Sequence, residues 1–300
     1  MQNFDYNNSS VIKPPDDLIK NMPSRYTRVV IDSRHRDTDI YQDPANYSVE
    51  VDQYIEDVIC GEIIITDIPF SNYVINKNNC SFYIGSSPSA TRQDLGLANS
   101  LKMSYKSFKS AELSTALLNM TFIVLDQGIY TNESLITHIA NKLPAGFTIS
   151  LNIQTLKVMI SSTNGWFSLY FPNYLGNMLG MDGSYVYFSV PGDDSITSTG
   201  VISLNVENYI VLSIYNMSIN VSSNDVINKS TMLVSRTDSM LNSKSNLVPI
   251  KKYFNPVIPK IIRIRVKLTD SYGNPYDFQN MNHRIEILYE SRRHLMKYAI

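Results

Sequence analysis

From Arg28 onward the chain alternates apolar and polar residues with period two, in short runs rich in Val, Ile, Tyr and Phe that are punctuated by clusters of Gly, Pro, Asn, Asp and Ser. Alternation of this kind places successive side chains on opposite faces of a pleated strand. It predicts strands at 28–32, 47–51, 60–66, 80–84, 120–125, 147–152, 156–161, 167–171, 185–190, 201–204, 209–215, 260–269 and 284–289. So many short strands, in a chain with 20 Tyr and 11 Phe, predict an all-β antiparallel sandwich or barrel rather than βαβ units. Period 3.6 occurs clearly once. Over 132–143, Leu135, Ile136, Ile139 and Leu143 share a face, Thr131 is the N-cap, Glu133 suits the N-terminal dipole, and Pro144 ends the helix. His138 falls on the polar side, where solvation is expected. A second short helix at 174–179 should stop at Gly180.

The first 24 residues carry Pro14, Pro15 and Pro23 and no sustained period, so they read as an extended arm, of the sort that lies on a neighbour. Of the 300 residues, 43% are hydrophobic and 18% charged, enough for a full apolar core without staples. The formal charge is -1 but unevenly placed: residues 251–300 hold ten Lys+Arg against four Asp+Glu, which leaves residues 1–250 acidic. This balance gives no general attraction to nucleic acid or to an anionic membrane. Within the basic segment Ile262, Ile264, Val266 and Leu268 alternate with Arg263, Arg265 and Lys267. One strand would thus bury an apolar face and present three cations on the other, either to solvent or to a partner, an acidic neighbouring subunit or nucleic acid, with self-association favoured because the rest of the chain is acidic.

Recognisable reaction chemistry is missing from the pattern. There is no GxSxG elbow for a serine nucleophile, and neither GK[ST] nor GxGxxG to cradle a phosphate. His35, His138, His283 and His294 are far apart and outside metal-ligand spacing, no DxDxDG series offers a calcium loop, and Asp193-Asp194 sit in a Pro-Gly-Asp-Asp turn. Lys251, Lys252 and Tyr253 place cations beside an aromatic ring, as single-strand binders do, but Tyr is common along the whole chain. No cofactor and no metal are expected. Cys60 and Cys80 are too few for a disulfide framework and have no CxxC spacing, so a reducing compartment is the default. The N-terminus has no basic and apolar signal regions, and the expectation is a soluble chain.

Three stretches together carry a resemblance. The first comprises Val29-Val-Ile-Asp-Ser-Arg-His-Arg-Asp37, Tyr41-Gln-Asp-Pro44, Asn46-Tyr-Ser-Val-Glu-Val51 and Ile68-Pro-Phe-Ser-Asn-Tyr-Val-Ile75. It resembles the opening strands of minor capsid and vertex (penton) proteins of large double-stranded DNA viruses of eukaryotes and their virophages. The second, Gly128-Ile-Tyr-Thr131 with the helix, the hairpin at Thr155-Leu-Lys157 and Leu175-Gly-Asn-Met-Leu-Gly180, is similar to a segment of structural proteins of the same viruses. The third, Leu268-Thr-Asp-Ser-Tyr-Gly273, Tyr276-Asp-Phe278 and Asn282-His283, resembles their closing strands.

The resemblance implies a single jelly-roll β-sandwich with an inserted β-rich domain that carries one short helix. Its expected divisions are the arm at 1–24, the jelly roll at 25–95 plus 200–290, the insert at 96–199 and a basic tail at 291–300. It implies a capsid building block of the virion and not an enzyme, made in the host cytoplasm. The expected assembly is a homopentamer at the icosahedral vertex, among major capsid protein capsomers and other minor capsid proteins. A minor or cement protein between capsomers and a glycan-binding host-attachment module are the alternatives. Subunit-interface candidates are Arg34, Arg36, Asp37, Arg263, Arg265, Lys267, Arg292 and Arg293. For the first three an internal corner, with Arg34 or Arg36 pairing Asp37, is the competing reading, and Arg292, Arg293 and Lys297 lie past the last recognised strand.

Overall fold

A computed structural model describes residues 24–71, 73–86, 102–104, 120–182, 185–189, 194–204, 209–228, 230–235 and 250–292. Strand accounts for 50% of these and helix for 9%, so the fold is all-β. The chain forms two compact units, one of residues 1–70 with 209–300 and one of residues 71–208. The strand at Ser81–Ser86 pairs only with strands of the second unit, so the described residues between 71 and 95 belong there rather than with the sheet of the first.

The first unit is a curled antiparallel sheet of β1 (Ser24–Asp32), β2 (Asn46–Asp67), β11 (Tyr209–Ile214), β12 (Met232–Ser235), β13 (Ile250–Thr269) and β14 (Arg284–Arg292), in the order β1-β14-β2-β13-β11-β12. β2 and β13 are long enough to serve two halves. At one end, β2 from Asn46 to Glu50 pairs β13 from Lys267 to Arg263, and β11 and β12 continue the sheet. At the other, β2 beyond Ile55 pairs β13 before Ile261, and β14 and β1 continue it on the opposite side. Each half therefore has four strands, and both cover one core that includes Ile31, Tyr47, Ile63, Leu212, Val266 and Tyr289. Bulges sit at the joins: residues 51–54 of β2 oppose the single residue Ile262, and residues 254–257 of β13, with a cis Asn255–Pro256 bond, oppose Ile59.

The second unit holds a five-stranded sheet of β3 (Ser81–Ser86), β4 (Lys102–Ser104), β5 (Thr121–Val124), β8 (Phe167–Tyr170) and β9 (Tyr185–Phe188), in the order β4-β9-β8-β3-β5. A three-stranded sheet of β6 (Phe147–Asn152), β7 (Lys157–Ser162) and β10 (Ser195–Thr197) and the helix α1 (Asn132–Lys142) complete a separate core. Leu135, Ile136 and Ile139 are buried, as their spacing requires. The Thr131 hydroxyl accepts the Ser134 N–H and the Ser134 hydroxyl accepts the Thr131 N–H, a capping box built with Ser where Glu or Gln is usual. His138 is braced rather than solvated: its Nε2 accepts the Asp126 N–H at 3.1 Å. α2 (Leu175–Met178) is followed by Gly180 at φ +77°, as expected of a helix stop. The expected strand at 201–204 is irregular, because Ile202 and Ser203 donate to the carbonyls of Leu156 and Met178 instead of to a ladder.

Candidate interaction surface

The first and third segments of the resemblance, far apart in sequence, meet where β1 ends and β14 begins. Ser33 N–H donates to the His283 carbonyl at 3.0 Å, and the Ser33 hydroxyl accepts the His283 N–H at 2.9 Å while donating to Asn282 Oδ1 at 3.1 Å. The His283 ring is 3% exposed, lies 3.0 Å through Nε2 from the Tyr47 hydroxyl, and stacks on Phe278 with centroids 5.0 Å apart. Tyr276 and Phe70 extend this aromatic row. Burial lowers the His283 pKa to about 4, with the nearby Asp32 charge opposing and Arg36 adding to the effect, so the imidazole is neutral at physiological pH. Its buried Nδ1 has no hydrogen-bond partner among the described residues. Burial likewise pushes the Tyr47 hydroxyl far up.

Around this corner the charged residues of the Ser33–Asp37 motif are used internally. Arg34 forks onto the Asp32 carboxylate, Nε at 3.0 Å from both oxygens and one terminal nitrogen at 2.5 Å from Oδ2, and this pairing holds Asp32 down at about 2. Arg36 donates to the carbonyls of Ser33, Tyr41 and Gln42 at 2.7, 3.0 and 3.1 Å. The Asp37 carboxylate accepts the N–H groups of Asp39 and Ile40 in its own turn. The motif is an internal corner, but neither arginine pairs Asp37: Asp32 stands closer to Arg34, and the loop carbonyls offer Arg36 a planar set of acceptors.

The basic strand differs. Ile264, Val266 and Leu268 are buried and Arg263, Arg265 and Lys267 are exposed, as the alternation predicts. Ile262 is not buried with them but 55% exposed, because the bulge beside it breaks the period. The next inward side chain is Ile261. Arg263 makes an ion pair with Glu50, its register partner on β2. Arg265 and Lys267 face Ser48 and Asn46 and have no ionic partner among the described residues. Arg292 is the last residue of β14, paired with Ser24 on β1, so the strand runs three residues past Tyr289. Arg293 and the rest of the expected tail lie outside the described residues. Lys251 is 3.9 Å from Glu290 and stacks over Tyr253, and Lys252 donates to the Ser218 carbonyl.

Sequence reasoning missed a cleft of about 230 Å³ beside the Ile262 bulge, lined by residues of β13, by Tyr289 and by the turn after β11. No periodicity signals it, since it follows from where β11 stops. Among the described residues no group of three or more His, Cys, Asp or Glu is placed to hold a metal ion, and no helix is long and apolar enough to cross a membrane. Cys60 and Cys80 are free thiols, one in each unit, and burial raises the pKa of Cys60.

Residues 17–164 match the model of a family of unknown function, DUF5901. No curated protein matches the chain. Among solved structures, the selenomethionine-labelled penton protein of mavirus aligns over 90% of this chain and 100% of its own, at 11% identity and a TM-score of 0.28.

Proposed function

We propose that the chain is a structural building block of an icosahedral virus capsid, of the penton type, in which five copies close a ring at the vertex among capsomers of major capsid protein. One observation carries this reading. The opening and closing segments that resemble vertex and minor capsid proteins come together in one corner, joined by a backbone hydrogen bond, a bond from the His283 N–H to the Ser33 hydroxyl, and an aromatic row, so the resemblance lies in residues that build the sheet unit. Among the described residues the sheet leaves Arg265 and Lys267 without an ionic partner on one face and strand edges without a neighbour on opposite sides of one half-sheet, surfaces that a structural protein would use. A patch on one side that meets a different patch on the next copy makes a heterologous contact, which closes into a ring when the rotation fits.

Native mass spectrometry of the full chain at low and moderate salt tests this. The expected species is near five times 34.1 kDa, and a strict monomer under every condition would refute self-assembly and favour a cement protein that binds only assembled capsomers.

A further inference from the structure

In the half-sheet that contains β1, the register aligns Arg25, Ser291, Val58 and Ile258 in a row across β1, β14, β2 and β13. Among the described residues β1 is one edge of this row and β13 the other. β11 stops at Ile214, Tyr215 N–H donates to the Arg265 carbonyl, and no described strand continues alongside Lys260–Ile264 on the side away from β2. The cleft opens beside this edge. Met217 and Tyr289 lie at its buried side, Tyr215 and Ile262 line it while 71% and 55% exposed, and Lys260 and Arg263 bring positive charge. Its volume exceeds the roughly 150 Å³ that takes up a benzene ring, which suits one or two aliphatic side chains and not a folded element. The matching ligand is an extended segment that adds to the β13 edge left open among the described residues, puts an aliphatic side chain into the cleft and, from an alternate position, sets a carboxylate against Lys260, which lies over the Tyr54 ring, or against Arg265 further along the strand.

Residues 16–19 of this chain, Asp-Asp-Leu-Ile, have that composition and follow Pro14-Pro15, which favours an extended backbone. We infer that the cleft of one copy receives Asp16, Asp17, Leu18 and Ile19 of the neighbouring copy as an added strand. The arm leaves its own unit at Ser24 on the β1 edge, three strand spacings, or about 14 Å, from β13. A head-to-tail contact brings that exit beside the β13 edge of the next copy, where five residues reach about 17 Å. The inference deepens the ring reading and rests on it.

Leu18→Cys combined with Ile262→Cys in the full chain, on a Cys80→Ser background, tests the contact by oxidation at the concentration of assembly. Crosslinks between chains, giving a ladder on a non-reducing gel, are expected, whereas a crosslink within one chain, or none in a chain that still forms rings, overturns the inference. Asp16→Lys with Asp17→Lys should weaken ring formation about tenfold, and adding Lys260→Glu with Arg265→Glu should restore it. A chain that forms no ring at all refutes the ring reading instead. Docking is then tested alone with a synthetic peptide of residues 12–23 and the full-length Asp16→Lys, Asp17→Lys chain. Saturable binding that is lost on Lys260→Glu supports it, and no binding overturns it.

Discussion

His283 is held neutral by burial, and that has a thermodynamic sign. Its pKa falls from 6.5 to about 4 in the folded chain, so the unfolded chain takes up the proton first as pH drops. The stability that the neutral ring provides is complete above pH 6.5 and is lost on going down to pH 4, by about 3 kcal/mol in total. The measurement is the urea midpoint of the wild type and of His283→Gln between pH 7 and 4.5: the variant should be less stable at pH 7 and the gap should shrink as pH falls. Asp32 contributes in a different window, below pH 4, and less, because its partner Arg34 is exposed and screened. Arg36 shows why residue type alone does not tell an interface arginine from one used inside its own loop. Its five donors suit a carboxylate on another chain, but three carbonyls of its own loop lie within reach and satisfy it first.

At the scale of elements, what is legible follows from local chemistry. The helix was readable from Thr131, the apolar face and Pro144 because capping and burial act within a few turns. The strand at Phe147–Asn152 was readable because its alternation is unbroken. The sequence did not reveal that the 47–51 and 60–66 segments are one strand: residues 52–59 are charged and irregular, Asp57 sits at φ 52°, and only pairing with β13 and β14 keeps them in the sheet. β13 is likewise twice its expected length: residues 250–259, which show no clean alternation, pair with β2 across a bulge at 254–257. β10 and β12 are too short to show a period. Gly180 was legible as a stop but not as a contact: a Cβ there would lie 2.4 Å from the Gly200 carbonyl oxygen, and the φ of +77° is itself unfavourable for alanine. Gly180→Ala should destabilise the second unit by about 2–4 kcal/mol. Thermal unfolding of the full chain would register this, with Gly165→Ala, also at positive φ but in open space, losing about 1 kcal/mol.

For the whole molecule, the candidate surface was half visible beforehand. The cation row is a period-two pattern and can be read from sequence. Its partial neutralisation by Glu50 depends on register, and the cleft depends on where β11 ends; neither is local. Arg265→Glu with Lys267→Glu should leave the melting temperature nearly unchanged, since neither side chain is buried or paired among the described residues, yet reduce the mass of the assembled species. Light scattering at low salt should show the loss, and moderate salt should narrow the difference between variant and wild type, as expected when charges act over about 8–10 Å.

β2 and β13 pass without interruption through both halves of the curled sheet. Two sheets stacked face to face meet along a seam held only by side-chain contacts, and such a seam is the weakest plane under load. Here a pull on one half reaches the other along two covalent backbones, so the halves cannot be peeled apart without tearing strand from strand. Under load such a unit yields all at once or not at all.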